Sequence, residues 1–200
     1  MIPTLPIMET FYSIQGEGFY QGHAAFFIRL AGCDVGCVWC DVKESWDAGQ
    51  HKLRSIDSLL DEVKSSETEI VIITGGEPLM YDCSPLTTAL QTAGYKTHLE
   101  TSAAYALSGQ WDWICVSPKK FKAPLDEVLA KANELKVVVY NKSDFDWALK
   151  HAAGVSEDCL LYLQPEWSKE KEMLPLMTDF IQKNPQWKLS LQIHKYMGVR

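Results

Sequence analysis

The 200-residue sequence contains no apolar run of the roughly 18–20 residues that a helix needs to cross a bilayer. It also has no surplus of positive charge, with 19 Lys and Arg against 26 Asp and Glu and a formal net charge of −7. Proteins that bind nucleic acid usually carry a basic surface, because phosphate contacts supply much of their affinity. We therefore expect neither a membrane nor nucleic acid as a partner. Residues 1–6 lack the basic and apolar regions of a secretory signal, so we expect a cytoplasmic protein.

The six cysteines do not suggest a disulfide framework, because the chain is longer than the usual small disulfide-rich scaffolds and no secretory signal is recognised. Three of the six crowd into residues 33–40. Cys115 and Cys159 lie in apolar runs, which predicts buried, reduced thiols. Cys83 stands at a turn or a helix start, and the sequence assigns it no role.

Short β-branched runs alternate with helical patterns along the whole chain, and 46% of the residues are hydrophobic. We predict strands over 25–30, 69–73, 96–100, 111–116, 134–140, 159–164 and 188–193, and helices over 56–63, 84–93, 124–133, 144–151 and 169–183. This alternation is typical of a parallel sheet built from βαβ units. The gap between Glu100 and Trp111 is too short for a helical crossover, so we expect a helix to be reduced or missing there. A complete eightfold β/α barrel typically needs about 250 residues, and this chain is shorter.

The three clustered cysteines, Cys33, Cys37 and Cys40, follow the first strong strand with the spacing C-x3-C-x2-C. A structural zinc site normally has four protein ligands, whereas three thiolates on a [4Fe–4S] cluster leave one iron open to another ligand. The pattern therefore favours a cluster. Two other interpretations remain, a zinc site completed by His51 or Asp41 and a redox-active C-x2-C pair.

A glycine-rich segment, residues 74–78 (Thr-Gly-Gly-Glu-Pro), follows the buried strand that ends at Ile73. Parallel α/β sheets place ligands beyond the carboxyl ends of their strands. Alone, this segment could be a simple β-turn. Its glycines would also let backbone carbonyls approach a ligand closely, and Glu77 would supply a fixed negative charge.

The cysteine spacing and the glycine segment together resemble those of the radical S-adenosylmethionine superfamily. This resemblance implies a [4Fe–4S] cluster whose open iron chelates S-adenosylmethionine, with the glycine segment receiving the cofactor's ammonium group. One-electron reduction would then cleave the cofactor to methionine and a 5′-deoxyadenosyl radical.

The region before the cysteines indicates which family within this superfamily the sequence resembles. Gln15 and Glu17 lie in a glycine-relaxed loop and offer amide and carboxylate groups that suit a heterocycle. Arg29 interrupts an apolar strand, and a buried guanidinium needs an anionic partner, which could be a ligand or a structural carboxylate. With the segments at 99–102, 116–119, 163–165 and 192–195, these residues resemble the 7-carboxy-7-deazaguanine synthase family over nearly the whole chain.

This second resemblance implies a lyase that contracts the ring of 6-carboxy-5,6,7,8-tetrahydropterin, releasing ammonia and 7-carboxy-7-deazaguanine for queuosine or other 7-deazapurine products. It implies an α/β fold: an incomplete TIM-type barrel of about six parallel strands with reduced outer helices, in which residues 1–200 form a single domain. It also implies a homodimer and a flavodoxin or ferredoxin as reductant.

The resemblance assigns residues to the substrate, the cofactor and the cluster. The pterin would be bound by Ile14, Gln15, Gly16, Glu17, Arg29, Thr74, His194 and Arg200, the last through its C-terminal carboxylate. S-adenosylmethionine would be bound by Trp39, Asp41, Gly75, Gly76, Glu77, Ser117, Pro118, Lys119, Gln164 and Pro165, and the cluster by Cys33, Cys37 and Cys40. Members usually place Thr or Ser after the Cys-Asp pair as a Mg²⁺ ligand. Here that position is Val42, so we expect a weaker Mg²⁺ dependence.

Two other functions share some of these features. A glycyl-radical activase has the same cysteine spacing but does not need the 15–18 loop or Arg29. A zinc- or iron–sulfur-bearing interaction module would leave the glycine segment and the polar strand ends without a function.

Overall fold

The computed structural model describes residues 3–200. Its strands are β1 (Thr4–Ile14), β2 (Ala24–Leu30), β3 (Lys52–Ser55), β4 (Ile70–Gly75), β5 (Lys96–Thr101), β6 (Trp113–Val116), β7 (Glu134–Val139), β8 (Leu160–Pro165) and β9 (Trp187–Leu189). Its helices are α1 (Ile56–Val63), α2 (Ser84–Thr92), α3 (Asp126–Leu129), α4 (Ser143–Ala152), α5 (Glu170–Lys183) and α6 (Ile193–Met197). None of these helices combines the length and the apolar composition needed to span a membrane.

All nine strands form one sheet in the order β3-β1-β2-β4-β5-β6-β7-β8-β9. The seven strands from β2 to β9 in this order pair in parallel, which confirms the predicted parallel α/β sheet. The antiparallel edge formed by β1 and β3 was not predicted. Pro6 lies within β1, and a proline inside a run argues against a strand on sequence grounds.

The two faces of the sheet differ in polarity because successive side chains of a strand point to opposite sides. On β7, Leu135, Val137 and Val139 are fully buried and pack in the core beneath the helices. Glu134 and Lys136 alternate with them and face the opposite, inner side of the sheet. The helices therefore cover an apolar outer face, and β7 presents polar groups on the inner face.

Two helix boundaries follow directly from local chemistry. The Ser55 side chain accepts a hydrogen bond from Ser58 N at 3.2 Å and caps α1. The chain turns just beyond the end of α2 at Gly94, whose φ of +90° favours glycine.

The connections between the strands show which of the expected helices are reduced or missing. In the described residues no helix joins β5 to β6, and α3 has only four residues, so the predicted helix over 124–133 was too long. The strand predicted over 188–193 is wrong at its end. The Ile193 backbone N–H bonds to Gly16 O at 3.0 Å, and the chain turns into α6 instead.

The segment after β1 meets the segment after β9 across the inner face. Besides the Ile193–Gly16 hydrogen bond, Gly18 N donates to Ser190 Oγ at 2.9 Å. These contacts bring residues from the two ends of the chain to one side of the sheet.

Candidate active site

Two adjoining cavities, of about 230 Å³ and about 160 Å³, open on the inner face toward the carboxyl ends of the parallel strands. Residues shared by both linings mark the boundary between them: Glu17, Arg29, Asp41, Val42, Thr74, Glu100 and Gln192. A group bound in one cavity would therefore lie beside a group bound in the other.

The cysteine loop begins directly after β2 and forms one wall of the larger cavity. Cys33, Cys37 and Cys40 all line that cavity, and Cys40 N donates to Cys37 O at 3.0 Å in a tight turn. Burial is the main cause that raises the pKa of the Cys37 thiol to about 11, with the charge of Lys119 opposing the rise and the neighbouring cysteines adding to it. The other three cysteines are free and buried, as predicted for Cys115 and Cys159.

The chemistry of this donor set fits the predicted cluster. Three thiol groups face one cavity, and two of them are only partly buried, so an exogenous group could reach them. Within residues 3–200, no three histidine, cysteine or carboxylate side chains converge as the ligands of a single metal ion would. In a [4Fe–4S] cluster each cysteine binds a different iron, so its ligands need not converge on one point.

The glycine segment packs directly against the start of the cysteine loop. Gly76 N donates to Leu30 O at 2.9 Å, and Glu77 N donates to Gly32 O at 2.8 Å. A Cβ on Gly76 would lie 2.1 Å from Gly32 O, so only glycine permits this approach. The two predicted motifs are thus one structural unit.

The Glu77 carboxylate is fully occupied inside the protein. It is 1% exposed and accepts hydrogen bonds from Leu79 N at 3.1 Å and Ser102 N at 2.8 Å. The hydroxyls of Thr101 and Ser102 also donate to it. Although Glu77 lines the larger cavity, its main role in the structure is to join the glycine segment to the end of β5.

Most of the residues predicted to bind S-adenosylmethionine line the larger cavity: Trp39, Asp41, Gly75, Gly76, Glu77, Ser117, Lys119, Gln164 and Pro165. The Lys119 ammonium donates to Ser117 and lies 5.6 Å from the centre of the Trp39 ring. Pro118 is not in this lining, and its carbonyl accepts a hydrogen bond from Trp147 Nε1 at 3.3 Å.

All eight residues predicted to bind the pterin line the smaller cavity: Ile14, Gln15, Gly16, Glu17, Arg29, Thr74, His194 and Arg200. Arg29 already has an anionic partner, since its Nε donates to Glu9 Oε1 at 2.9 Å. Glu9 also pairs with Arg200 at 3.0 Å, which places two guanidinium groups around one carboxylate beside the cavity.

A buried charge network that was not predicted from the sequence lies beneath both cavities. Lys136 on β7 is 4% exposed in its side chain and pairs with Glu17 at 2.7 Å and Glu100 at 3.0 Å. Burial opposes ionisation of Glu17, but the charge of Lys136 and hydrogen bonds from Lys136 and Gln192 outweigh it and hold its pKa at about 2. The sequence contains one signal of this network, since Lys136 is a charged residue within an otherwise apolar strand and must have a partner if it is buried.

The position of the expected Mg²⁺ ligand does not fit a hard cation well. Val42 lines both cavities but has no side-chain oxygen, and Mg²⁺ needs oxygen ligands. The adjacent Asp41 Oδ2 accepts a hydrogen bond from the Lys195 ammonium at 2.8 Å. The positive charge of Lys195 therefore already lies beside Asp41, which is the only one of the two residues Asp41 and Val42 that carries a carboxylate.

Comparison with known proteins agrees with this geometry. Residues 27–141 match the Radical SAM superfamily. The chain is 49% identical to the 7-carboxy-7-deazaguanine synthase of Flavobacterium psychrophilum, covering 98% of this chain and 92% of the relative. It is also 49% identical to the 7-carboxy-7-deazaguanine synthase of Synechocystis, with 98% and 93% coverage. The chain belongs to the 7-carboxy-7-deazaguanine synthase family.

The structural comparison extends this agreement to the backbone. The crystal structure of QueE from Escherichia coli matches with a TM-score of 0.85 at 31% identity, covering 94% of each chain. Membership of the 7-carboxy-7-deazaguanine synthase family makes this chain a radical SAM enzyme, and the [4Fe–4S] cluster and S-adenosylmethionine follow from the superfamily.

Proposed function

We propose that this chain converts 6-carboxy-5,6,7,8-tetrahydropterin to 7-carboxy-7-deazaguanine and ammonia. The observation that carries the proposal is the smaller cavity, whose lining contains all eight residues assigned to the pterin. The reaction contracts a ring and is redox-neutral overall, because the product and ammonia together contain the atoms of the substrate.

The polar groups of the smaller cavity suit the two ends of such a substrate. Arg29 offers a guanidinium group, which can pair with a carboxylate, and the C-terminal residue Arg200 lies in the same lining. Gln15 and Glu17 offer amide and carboxylate groups, which can hydrogen-bond to the N–H and C=O groups of a pterin. Binding would therefore fix the ring in one orientation.

The larger cavity supports the assignment of the cofactors. Cys33, Cys37 and Cys40 would hold the cluster, while Gly76, Ser117, Lys119 and Gln164 would hold S-adenosylmethionine. When bound and reduced, these groups would supply a 5′-deoxyadenosyl radical for hydrogen abstraction from the substrate. Thr74, Asp41 and Glu100 line both cavities and would hold substrate and cofactor in contact.

We propose further that the sheet is an incomplete TIM-type barrel and that residues 1–200 form a single domain. The contacts between the segments after β1 and β9 support this, because six other strands separate β1 from β9 in the sheet and a flat sheet would keep the two far apart. The missing β5–β6 helix supports a reduced outer layer.

The remaining parts of the proposal rest on the family. A flavodoxin or ferredoxin would supply the electron, the enzyme would act as a cytoplasmic homodimer, and Mg²⁺ would have little effect because Val42 and the Asp41–Lys195 pair replace its ligands.

The decisive test is an anaerobic assay of reconstituted protein with dithionite, S-adenosylmethionine and the carboxytetrahydropterin. Mass spectrometry should detect 7-carboxy-7-deazaguanine. Cleavage of S-adenosylmethionine without this product would reject the substrate. If the chain instead installed a radical on a partner protein without pterin turnover, it would be an activase.

The cluster assignment has a matched control within the same chain. Cys37→Ala should abolish the brown colour and most of the bound iron after anaerobic reconstitution. Cys159→Ala removes a buried cysteine that lines neither cavity and should leave the iron content unchanged. Equal iron loss in both variants would contradict the assignment.

A further inference from the structure

Glu134, the first residue of β7, is a buried carboxylate that lines neither cavity. It is 2% exposed. Its Oε2 atom accepts hydrogen bonds from Phe19 N at 3.1 Å and from Trp113 Nε1 at 3.3 Å. Its Oε1 atom lies 3.6 Å from Cys115 Sγ. Burial raises the pKa of Glu134, so the protein bears an energetic cost to keep a carboxyl group there.

The partner of this carboxylate is the loop that forms part of the pterin cavity. Residues 15–20, which we call the pterin loop, leave β1 and cross the inner face of the sheet. A Cβ on Gly18 would lie 2.0 Å from Glu134 Oε1, so the loop backbone rests directly against this carboxylate. The next residue, Phe19, also stacks on Trp113 with ring centres 5.1 Å apart.

The same strand contacts the pterin loop a second time, two residues further on. Lys136 pairs with Glu17, which lines both cavities. Glu134 and Lys136 lie on the same face of β7, about 7 Å apart along the strand. Lys136 therefore holds a side chain of the loop, whereas Glu134 holds its backbone.

We infer that Glu134 is a positioning residue that fixes the pterin loop at the substrate cavity. This inference rests on the proposed function. Glu134 acts through Phe19 N, because this buried carboxylate is the acceptor that the structure gives to the part-buried Phe19 N–H, and losing an acceptor costs free energy. The loop geometry that presents Gln15 and Glu17 to the substrate thus depends on a residue outside the cavity.

Three variants test the inference. Glu134→Ala removes the acceptor. Glu134→Gln can keep both hydrogen bonds, because Phe19 N and Trp113 Nε1 donate to the same oxygen and the new amide N would face Cys115 Sγ. Val137→Ala is the matched control, since it truncates a fully buried side chain on the opposite face of the same strand.

Hydrogen exchange of the reconstituted protein gives a readout that is independent of turnover. Amide exchange in peptides covering residues 16–20 should accelerate about tenfold or more in Glu134→Ala, because loss of one hydrogen bond is worth about a factor of ten. Glu134→Gln and Val137→Ala should exchange there at the wild-type rate. Unchanged exchange in Glu134→Ala, or equal acceleration in all three variants, would overturn the inference.

Kinetics then connect the loop to the substrate. Glu134→Ala should raise the KM for the carboxytetrahydropterin about tenfold, while S-adenosylmethionine cleavage without substrate stays within twofold of the wild type. Glu134→Gln should restore KM. A mobile loop with an unchanged KM, or a Gln variant that behaves like Ala, would also overturn the inference. If wild-type protein makes no product, the proposed function fails, and the exchange measurement still decides whether Glu134 holds the loop.

Discussion

The Lys136 ammonium lies 2.7 Å from the Glu17 carboxylate, although the two residues are 119 positions apart in the sequence. A second carboxylate, from Glu100, lies 3.0 Å from the same ammonium. Both carboxylates line the two cavities. A single lysine therefore pairs with both of the carboxylates beside which substrate and cofactor would bind. Burial lowers the pKa of Lys136, but the surrounding anionic groups outweigh this effect and raise it well above its ordinary value.

Replacing this lysine should destabilise the protein strongly. Lys136→Met would leave two partly buried carboxylates without a cation, and removing one partner of a fully buried pair typically costs about 3–5 kcal/mol, which is the upper end of the loss expected here. Anaerobic urea denaturation at neutral pH measures this loss. Lys171→Met, at an exposed position on α5, is the control and should change the free energy of unfolding by less than about 0.5 kcal/mol. A Lys136→Met protein as stable as the control would refute the importance of the network.

The pairing of Glu17 predicts a specific dependence of stability on pH. Its pKa in the folded protein is about 2, below the ordinary value of 4.5. A depressed pKa contributes stability that is present above the unfolded value and lost as the pH falls toward the folded value. The stability difference between wild type and Glu17→Gln should therefore shrink by on the order of 2 kcal/mol between neutral pH and about pH 3. Denaturant titrations at both pH values measure it. A difference that stays constant would mean that Glu17 is not held ionised by Lys136.

The contact between the glycine segment and the cysteine loop predicts that Gly76→Ala disturbs the cluster. The added Cβ would meet a backbone carbonyl, Gly32 O, at 2.1 Å, and one of the two segments must move. We expect a stability loss of about 1–3 kcal/mol and less iron bound per chain after reconstitution. Gly154→Ala is the control, because its Cβ would meet ordinary contacts at 3.5 Å and beyond. Full iron content in Gly76→Ala would show that the cysteine loop tolerates the shift.

The residue after the Cys-Asp pair predicts how the enzyme responds to magnesium. Wild type should show little stimulation by Mg²⁺, because Val42 has no side-chain oxygen and the Lys195 ammonium pairs with Asp41. Val42→Thr adds a hydroxyl at the boundary of the two cavities and should increase the stimulation severalfold. Initial rates with Mg²⁺ and with a chelator measure the effect. Equal stimulation of both proteins would contradict this explanation.

The parts of the fold that sequence predicts well are those whose signals are local. The strand over 134–140 and the helix over 144–151 match β7 and α4 within a residue or two, because apolar periodicity reports burial directly. The antiparallel strand β1 was missed because Pro6 interrupts its pattern. The predicted end of the last strand was wrong because a distant carbonyl, Gly16 O, captures the Ile193 N–H.

The candidate site also has features that the sequence predicts and features that it does not. The spacing of the cysteines, the glycine segment and the residues that resemble the family's pterin ligands were all evident in the sequence, and the structure places them around two adjoining cavities. A charged residue inside a strand, such as Lys136, indicates only that some partner must exist. Which carboxylates meet Lys136, and which backbone N–H meets Glu134, depend on the long-range packing that brings the pterin loop against β7. The sequence by itself determined the chemistry available to this protein, because residue types and short spacings are local properties. Only the tertiary structure decided which charges are paired and what holds the pterin loop, because those contacts join segments more than a hundred residues apart.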